Sequence, residues 1–187
     1  YFIRHTHYHN PDDIYAFHLP MYLSPQGRQH AVRVGRWFVE QQIGSLPIYA
    51  SPIVRCVQTA EIIASATHAS ITLDKRLIET SLPNLQGKKK PDKTPWILEE
   101  EDPSRESRQS ILARILDFYN EKIAKGNDCI AVSHGDALTI LYYHLSHKPL
   151  PLYLWGPDNN DNVINRGEIL KIELKGKTIH SLSRIKV

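Results

Sequence analysis

Apolar and polar positions along the chain switch between a strand-like and a helix-like period. Short apolar runs, "YFIR", "LPIYAS", "ITLD" and "DCIAVS", are bounded by polar or turn residues and predict strands. The first ends within residues 1–4 and is broken by "NPDD" at Pro11. Between the strands the period lengthens. "LSPQGRQHAVRVGRWFVEQQ" places Ala31, Val34 and Phe38 at helical spacing, with Ser24 as a cap and Pro25 in the first turn. "PIVRCVQTAEIIASA" follows the second strand at once and predicts a helix with Pro52 in its first turn. "RESRQSILARILDFYNEKIAK" is amphipathic and stops at Gly126, "HGDALTILYYHLSH" is entered directly from the fourth strand, and "GEILKIELKGKTIHSLSRI" closes the chain as a hairpin. This alternation predicts an α/β fold around a mostly parallel sheet with a late antiparallel C-terminal hairpin. Residues 80–103 are long, polar and Pro-rich. They are expected to form a flap on a single domain spanning 1–187.

Composition narrows the classes. The chain has 187 residues, enough for a sizeable core, and an apolar fraction of 41% that suits a globular protein. Net charge is +3, from 23 Lys+Arg against 20 Asp+Glu, and the basic residues are scattered, so a nucleic-acid partner is not expected. The run Lys88-Lys89-Lys90 reads as solvated loop. Cys56 and Cys129 sit in apolar surroundings and read as buried thiols, not a disulfide or a zinc site. No apolar run approaches the ~20 residues that span a bilayer, and no signal peptide is visible, so no membrane partner and a cytoplasmic location are expected.

In sheets of this type the ligand lies outside the carboxyl ends of the strands. The residues that follow each strand are Arg4, His5 and Thr6; Ser51, Pro52 and Arg55; Arg76 and Glu79; Ser133, His134 and Gly135. Two arginines, two histidines and one carboxylate on one rim exceed what a structural ion pair needs. They suit a tetrahedral dianion, which takes several planar contacts, with helix N-termini near Pro52 and Gly135 aimed at it. One histidine, kept neutral by neighbouring arginines, can attack phosphorus. A carboxylic acid can protonate the leaving oxygen and its anion can later activate water. Arg and His supply the electrostatic stabilisation, so no metal and no cofactor are expected. This chemistry alone does not choose between His5 and His134 as the nucleophile.

The same residues carry a family resemblance. "IRHTHY" resembles the Arg-His-Gly motif that opens the histidine phosphatase superfamily, in its phosphoglycerate mutase-like branch. "LSPQGRQHA", "YASPIVRCVQTAEIIA", "RLIET" and "VSHGDAL" are similar to the family's later motifs, in the right order from Arg4 to about Leu145. The resemblance implies a three-layer α/β/α sandwich and a small phosphorylated substrate. It implies that His5 is the phosphorylated nucleophile, that Arg4, Arg55 and His134 bind the phosphoryl group, and that Glu79 is proton donor and then base. The function expected is metal-independent hydrolysis of a phosphate monoester. The alternatives are mutase-type phosphoryl transfer and a non-catalytic phosphate-binding module.

The chain departs from the family pattern in three places. Thr6 stands where the family has Gly, and either tolerates the same turn or offers its hydroxyl. Asp136 follows Gly135 where a second Gly is frequent, and reads as an acid that orients a base or disfavours highly charged substrates. The mutase subgroup's continuation after the acid is replaced by "IETSLPNLQG". Several residues carry a competing bland reading. His5, His7 and His9 alternate and would make a metal set only if the strand continued; His7 and His9 otherwise lie at the pocket mouth or surface. Asn10 reaches phosphate or makes a turn, Arg76 reads as a solvated charge, and His144 and His147 as packing residues. Substrate specificity is expected to lie in residues 8–22 and 80–103.

Overall fold

The computed structural model describes residues 1–90, 103–151 and 162–187. Residues 91–102, with Trp96 and the acids from Glu99 to Asp102, and Trp155 lie outside the described residues.

Six strands form one sheet: β1 (Phe2–Arg4), β2 (Ile48–Ala50), β3 (Ile71–Leu73), β4 (Ile130–Ser133), β5 (Ile169–Lys175) and β6 (Thr178–Ile185). Their order is β3-β2-β4-β1-β5-β6. The first four are mutually parallel, while β5 runs antiparallel to β1 and β6 antiparallel to β5. The expected α/β sandwich and late hairpin are both present.

Alternation along the strands sorts the core into two layers. Ile3, Ile48, Ala50, Ile130, Val132 and Ile169 face helices α1 (Pro25–Glu40) and α2 (Val54–Thr67). Phe2, Ala131 and Leu170 face α3 (Arg108–Lys125) and α4 (Gly135–Leu145). A continuous apolar run such as Ile130–Val132 therefore feeds both faces, as a central parallel strand must.

Local signals set the helix ends. Ser24 accepts the N–H of Gly27 at 3.0 Å, and Gly126 closes α3 in the left-handed region at φ 66°. Pro52 differs from expectation. Ile53 is the cap of α2, so Pro52 precedes the helix and lies outside its first turn. Among the described residues no helix is long and apolar enough to cross a membrane.

The described part of the 80–103 stretch lies against residues 13–18. Leu82 and Leu85 pack on Tyr15 and Phe17, Lys89 bridges Ile14, and Lys90 Nζ meets Asp13 at 2.8 Å.

Candidate active site

Sheet register assembles the site. Arg4 pairs with Ser133, and Ala50 with Val132, so His5, Ser51 and His134 emerge at one level of the carboxyl edge. The ladder continues one step beyond the strands, with His5 N–H donating to Ser133 O at 2.9 Å and Ser51 N–H to Val132 O at 3.0 Å. Arg55 rises from the first turn of α2. Glu79 follows a 3-10 turn at Lys75–Leu77, which Asp74 caps by accepting the N–H of Arg76 at 2.9 Å. All five expected residues, Arg4, His5, Arg55, Glu79 and His134, meet here.

Arg55 is the centre of the constellation and is 2% exposed. Its Nε donates to His5 Nε2 at 3.1 Å, and its Nη2 donates to His134 Nδ1 at 3.1 Å and to Phe17 O at 2.7 Å. Its Nη1 is buried with no hydrogen-bond partner among the described residues. That leaves a buried cationic donor able to serve an anionic ligand. Arg4 Nη1 donates to Ile164 O at 2.8 Å, and its guanidinium lies over the first turn of α4. A Cβ on Gly135 would stand 2.9 Å from Arg4 Cζ, so the glycine there makes the approach of Arg4 possible.

Because arginine only donates, these bonds assign the histidine tautomers. His5 Nδ1–H donates to Thr6 O at 2.8 Å, which leaves the lone pair on Nε2 facing Arg55. His134 Nδ1 accepts from Arg55, so its Nε2–H donates to Ser51 Oγ at 2.8 Å. Both rings are held neutral, with pKa values well below the usual histidine range. Burial is the largest cause for each, followed by the charge of Arg55. Cys56 Sγ lies 3.3 Å from His134 Nε2, but burial pushes its thiol far up and keeps it protonated.

Glu79 Oε1 accepts the N–H of Thr80 at 3.0 Å, and Oε2 lies 3.6 Å from His134 Nδ1 and 4.0 Å from Arg55 Nη2. His5, Glu79 and His134 bring ligand-type atoms within 4.8 Å of one another. The guanidinium of Arg55 bonds to both rings, so a cation is already built into this cluster and a metal ion would have to displace it. The alternating set His5, His7 and His9 does not gather. The strand ends at Arg4, the His7 ring lies 6.2 Å from His30, and His9 is exposed.

Other expectations resolve simply. Asn10 is a turn residue: it donates to Ile14 O at 2.9 Å and accepts from Ile14 N at 3.2 Å. Arg76 leaves the rim for Asp74, Asp117 and Glu121, so it is paired and not merely solvated. Thr6 turns its hydroxyl towards Thr59 Oγ1, at 3.4 Å, and does not line the cleft.

The cleft above the site, about 70 Å³, also takes residues that sequence reasoning missed. Tyr8 lies between two guanidiniums, with Arg55 Cζ 5.2 Å and Arg166 Cζ 5.1 Å from its ring centroid. Arg166 Nη1 donates to His7 Nδ1 at 3.4 Å. The side chain of Lys90, expected as solvated loop, is only 9% exposed and lines the cleft. The motif order carried no signal for Arg166, which sits in the turn leading into the hairpin. Residues 8–22, flagged for specificity, do supply Tyr8, Tyr15, Ala16 and Phe17.

Among solved structures, the chain is similar to YhfR of Bacillus stearothermophilus at 22% identity and a TM-score of 0.77, covering 96% of this chain and 92% of that one. A putative alpha-ribazole-5'-P phosphatase from Escherichia coli matches at 17% identity and a TM-score of 0.75, over 100% and 94%. A mycobacterial glucosyl-3-phosphoglycerate phosphatase in complex with VO3 matches at 21% identity and a TM-score of 0.70, over 97% and 95%. At these identities the likeness establishes the fold. None of the curated proteins compared matches the sequence. The family model described as histidine phosphatase superfamily (branch 1) matches residues 1–174, and the chain belongs to that superfamily.

Proposed function

We propose that this protein hydrolyses phosphate monoesters of small molecules through a phosphohistidine on His5, without a metal ion. The observation that carries the reading is the fixed tautomer of His5. Its Nδ1–H is held by Thr6 O at 2.8 Å, and its Nε2 lone pair points at Arg55. A neutral imidazole with its lone pair turned into a cationic cleft is a nucleophile ready for phosphorus.

The steps balance. The arriving phosphoryl group takes the Arg55 N–H that now rests on His5 Nε2, which frees the lone pair. Nε2 forms a bond to phosphorus as the ester P–O bond breaks, and a carboxyl of the site protonates the leaving oxygen. Water then attacks phosphorus, gives its proton to a carboxylate, and the P–N bond breaks. Arg4, Arg55, His134 and the N-terminus of α4 hold the equatorial oxygens through both displacements. Release to water, not return to the substrate, is favoured by "IETSLPNLQG" standing where the mutase continuation would be.

The test is to mix the enzyme briefly with an aryl phosphate and analyse the trapped protein. An acid-labile, alkali-stable phosphoenzyme is expected in the wild type and none in His5→Ala. An acid-stable adduct, or one retained in His5→Ala, would sink the assignment. With 3-phosphoglycerate and a bisphosphate primer, phosphate release should outpace isomer formation.

A further inference from the structure

Arg4 is held at three points by one short segment, the turn at residues 163–168 that leads into β5. Its guanidinium Nη1 donates to Ile164 O at 2.8 Å, its backbone N–H donates to Glu168 O at 3.3 Å, and its own carbonyl accepts the N–H of Gly167 at 3.0 Å. The same turn sends Val163 and Arg166 into the cleft. Whatever fixes this segment therefore fixes a floor residue and a mouth residue together.

The segment is fixed by Glu168, a buried acid that takes no part in the proposed chemistry. Its Oε2 accepts the N–H of Asn165 at 2.6 Å and the side-chain Nδ2 of the same residue at 3.2 Å, so the carboxylate closes the turn from inside. Its other partner is Arg184 on β6, which stands opposite Leu170 in the hairpin. Arg184 Nε donates to Oε1 at 2.7 Å, and Nη2 donates to Oε2 at 2.9 Å and to Val163 O at 2.6 Å. A fork-to-fork pair of this kind fixes geometry as well as adding energy. From the other side the N–H of Ile164 donates to Thr139 Oγ1 on α4 at 3.0 Å. A buried ion pair that served stability alone would gain little over apolar residues of the same size. Here the carboxylate and its arginine direct three of their bonds to the turn that aims Arg4.

We propose that Glu168, gripped by Arg184, is a positioning residue for the phosphoryl site: it sets the turn whose Ile164 carbonyl aims the guanidinium of Arg4. It touches neither substrate nor reacting atoms. This deepens the functional reading and rests on one part of it, the engagement of the phosphoryl group by Arg4. The bond to Ile164 O occupies Nη1, so the place of that carbonyl decides where the rest of the guanidinium points. A group displaced by an ångström meets the transferring oxygens at the wrong angle, which costs on the order of a hundredfold in rate. The hairpin is thereby tied to the chemistry although no residue of β5 or β6 lines the cleft.

The experiment is a double-mutant cycle, read by calorimetric titration with inorganic phosphate and by kcat on 4-nitrophenyl phosphate. Glu168→Gln keeps the size of the side chain and removes the charge that accepts from Arg184 and Asn165. It should weaken phosphate binding roughly tenfold and lower kcat by about tenfold to a hundredfold. In an Arg4→Ala background the same substitution should change phosphate binding by less than about twofold, because the residue it positions is gone. Arg184→Lys keeps the charge but cannot fork between the carboxylate and Val163 O, and should show the same coupling with a smaller loss. It carries the cycle alone if melting curves show that Glu168→Gln does not fold. Wild-type phosphate binding in these variants overturns the proposal. Equal losses with and without Arg4 overturn it too, since Glu168 would then act on the fold and not through Arg4. Wild-type affinity in Arg4→Ala overturns the role given to Arg4 together with the proposal. Absence of an acid-labile phosphoenzyme, with the cycle as expected, overturns phosphohistidine and leaves the positioning role standing.

Discussion

At the floor of the cleft, Arg4, His5 and His134 leave from strand ends and Arg55 from the first turn of a helix; at its mouth, Tyr8, Lys90 and Arg166 leave from loops. The floor residues are positioned by backbone register: Arg4 opposite Ser133 and Ala50 opposite Val132 leave His5, Ser51 and His134 level. The mouth residues are positioned by one another. Arg166 leans on the ring of Tyr8 and donates to His7, and Lys90 is held by Asp13. A site made this way has a rigid reacting end and a wall that depends on side-chain pairings. That division suits fixed chemistry beneath variable recognition.

Arg55 joins the two regions, since one Nη2 reaches both His134 at the floor and Phe17 O at the mouth. Its removal should therefore produce the largest effect. Arg55→Ala should lower kcat/KM on the order of a hundredfold to a thousandfold through the lost donor to the transferring group. It should also destabilise the protein by about 1–3 kcal/mol, because the buried carbonyl of Phe17 and two ring nitrogens lose their donor. Steady-state kinetics and denaturant melts on one preparation read both. A variant that loses activity and keeps wild-type stability would show that floor and mouth are built independently.

The floor was legible in the sequence because its residues follow strands, and strand ends can be counted from apolar runs. His5 and His134 were found that way, and Arg55 by its place after "SP". The same logic over-collected at Arg76, which follows β3 and is spent on Asp74, Asp117 and Glu121; nothing local says that α3 will bring two of those acids alongside. The mouth was legible only as a region. Residues 8–22 were singled out as silent between motifs, but the pairing of Tyr8 with Arg166 spans most of the chain and has no period to betray it. Lys90 sits in a run of three lysines that reads as solvated, whereas Asp13 and the packing of Leu82 and Leu85 on Tyr15 and Phe17 draw it inward. Pro52 shows the limit at element ends: it stops the strand, but the helix begins only after Ile53.

A smaller effect is expected at the mouth. Arg166→Ala should raise KM roughly tenfold with little change in kcat, the signature of binding lost equally in ground and transition state. In the proposed mechanism Arg4, Arg55 and His134 hold the phosphoryl group, which leaves Arg166 to act on the rest of the substrate. A fall in kcat matching the fall in kcat/KM would place Arg166 with the floor and erase the distinction.

The smallest effect is on stability, and it comes from the floor, where burial perturbs the protonation of two histidines and an acid. His5 and His134 are held neutral in the fold. Below about pH 6.5 the unfolded chain gains protons on these rings that the folded one refuses, so stability should decline as pH falls through that range. Asp136 has the opposite sense. Its folded carboxyl is raised well above the usual range, so folding retains a proton that the unfolded chain loses above about pH 4. Its favourable contribution is complete below that pH and is lost as pH rises towards the folded value. Asparagine has no proton to lose. Asp136→Asn should therefore melt close to wild type near pH 4 and progressively higher above it, by about 2–4 °C at pH 8 for each kcal/mol the buried acid withholds. Scanning calorimetry across pH 4–8 reads the difference directly. A difference that stays flat across the range would mean that Asp136 ionises in the fold as readily as in the open chain.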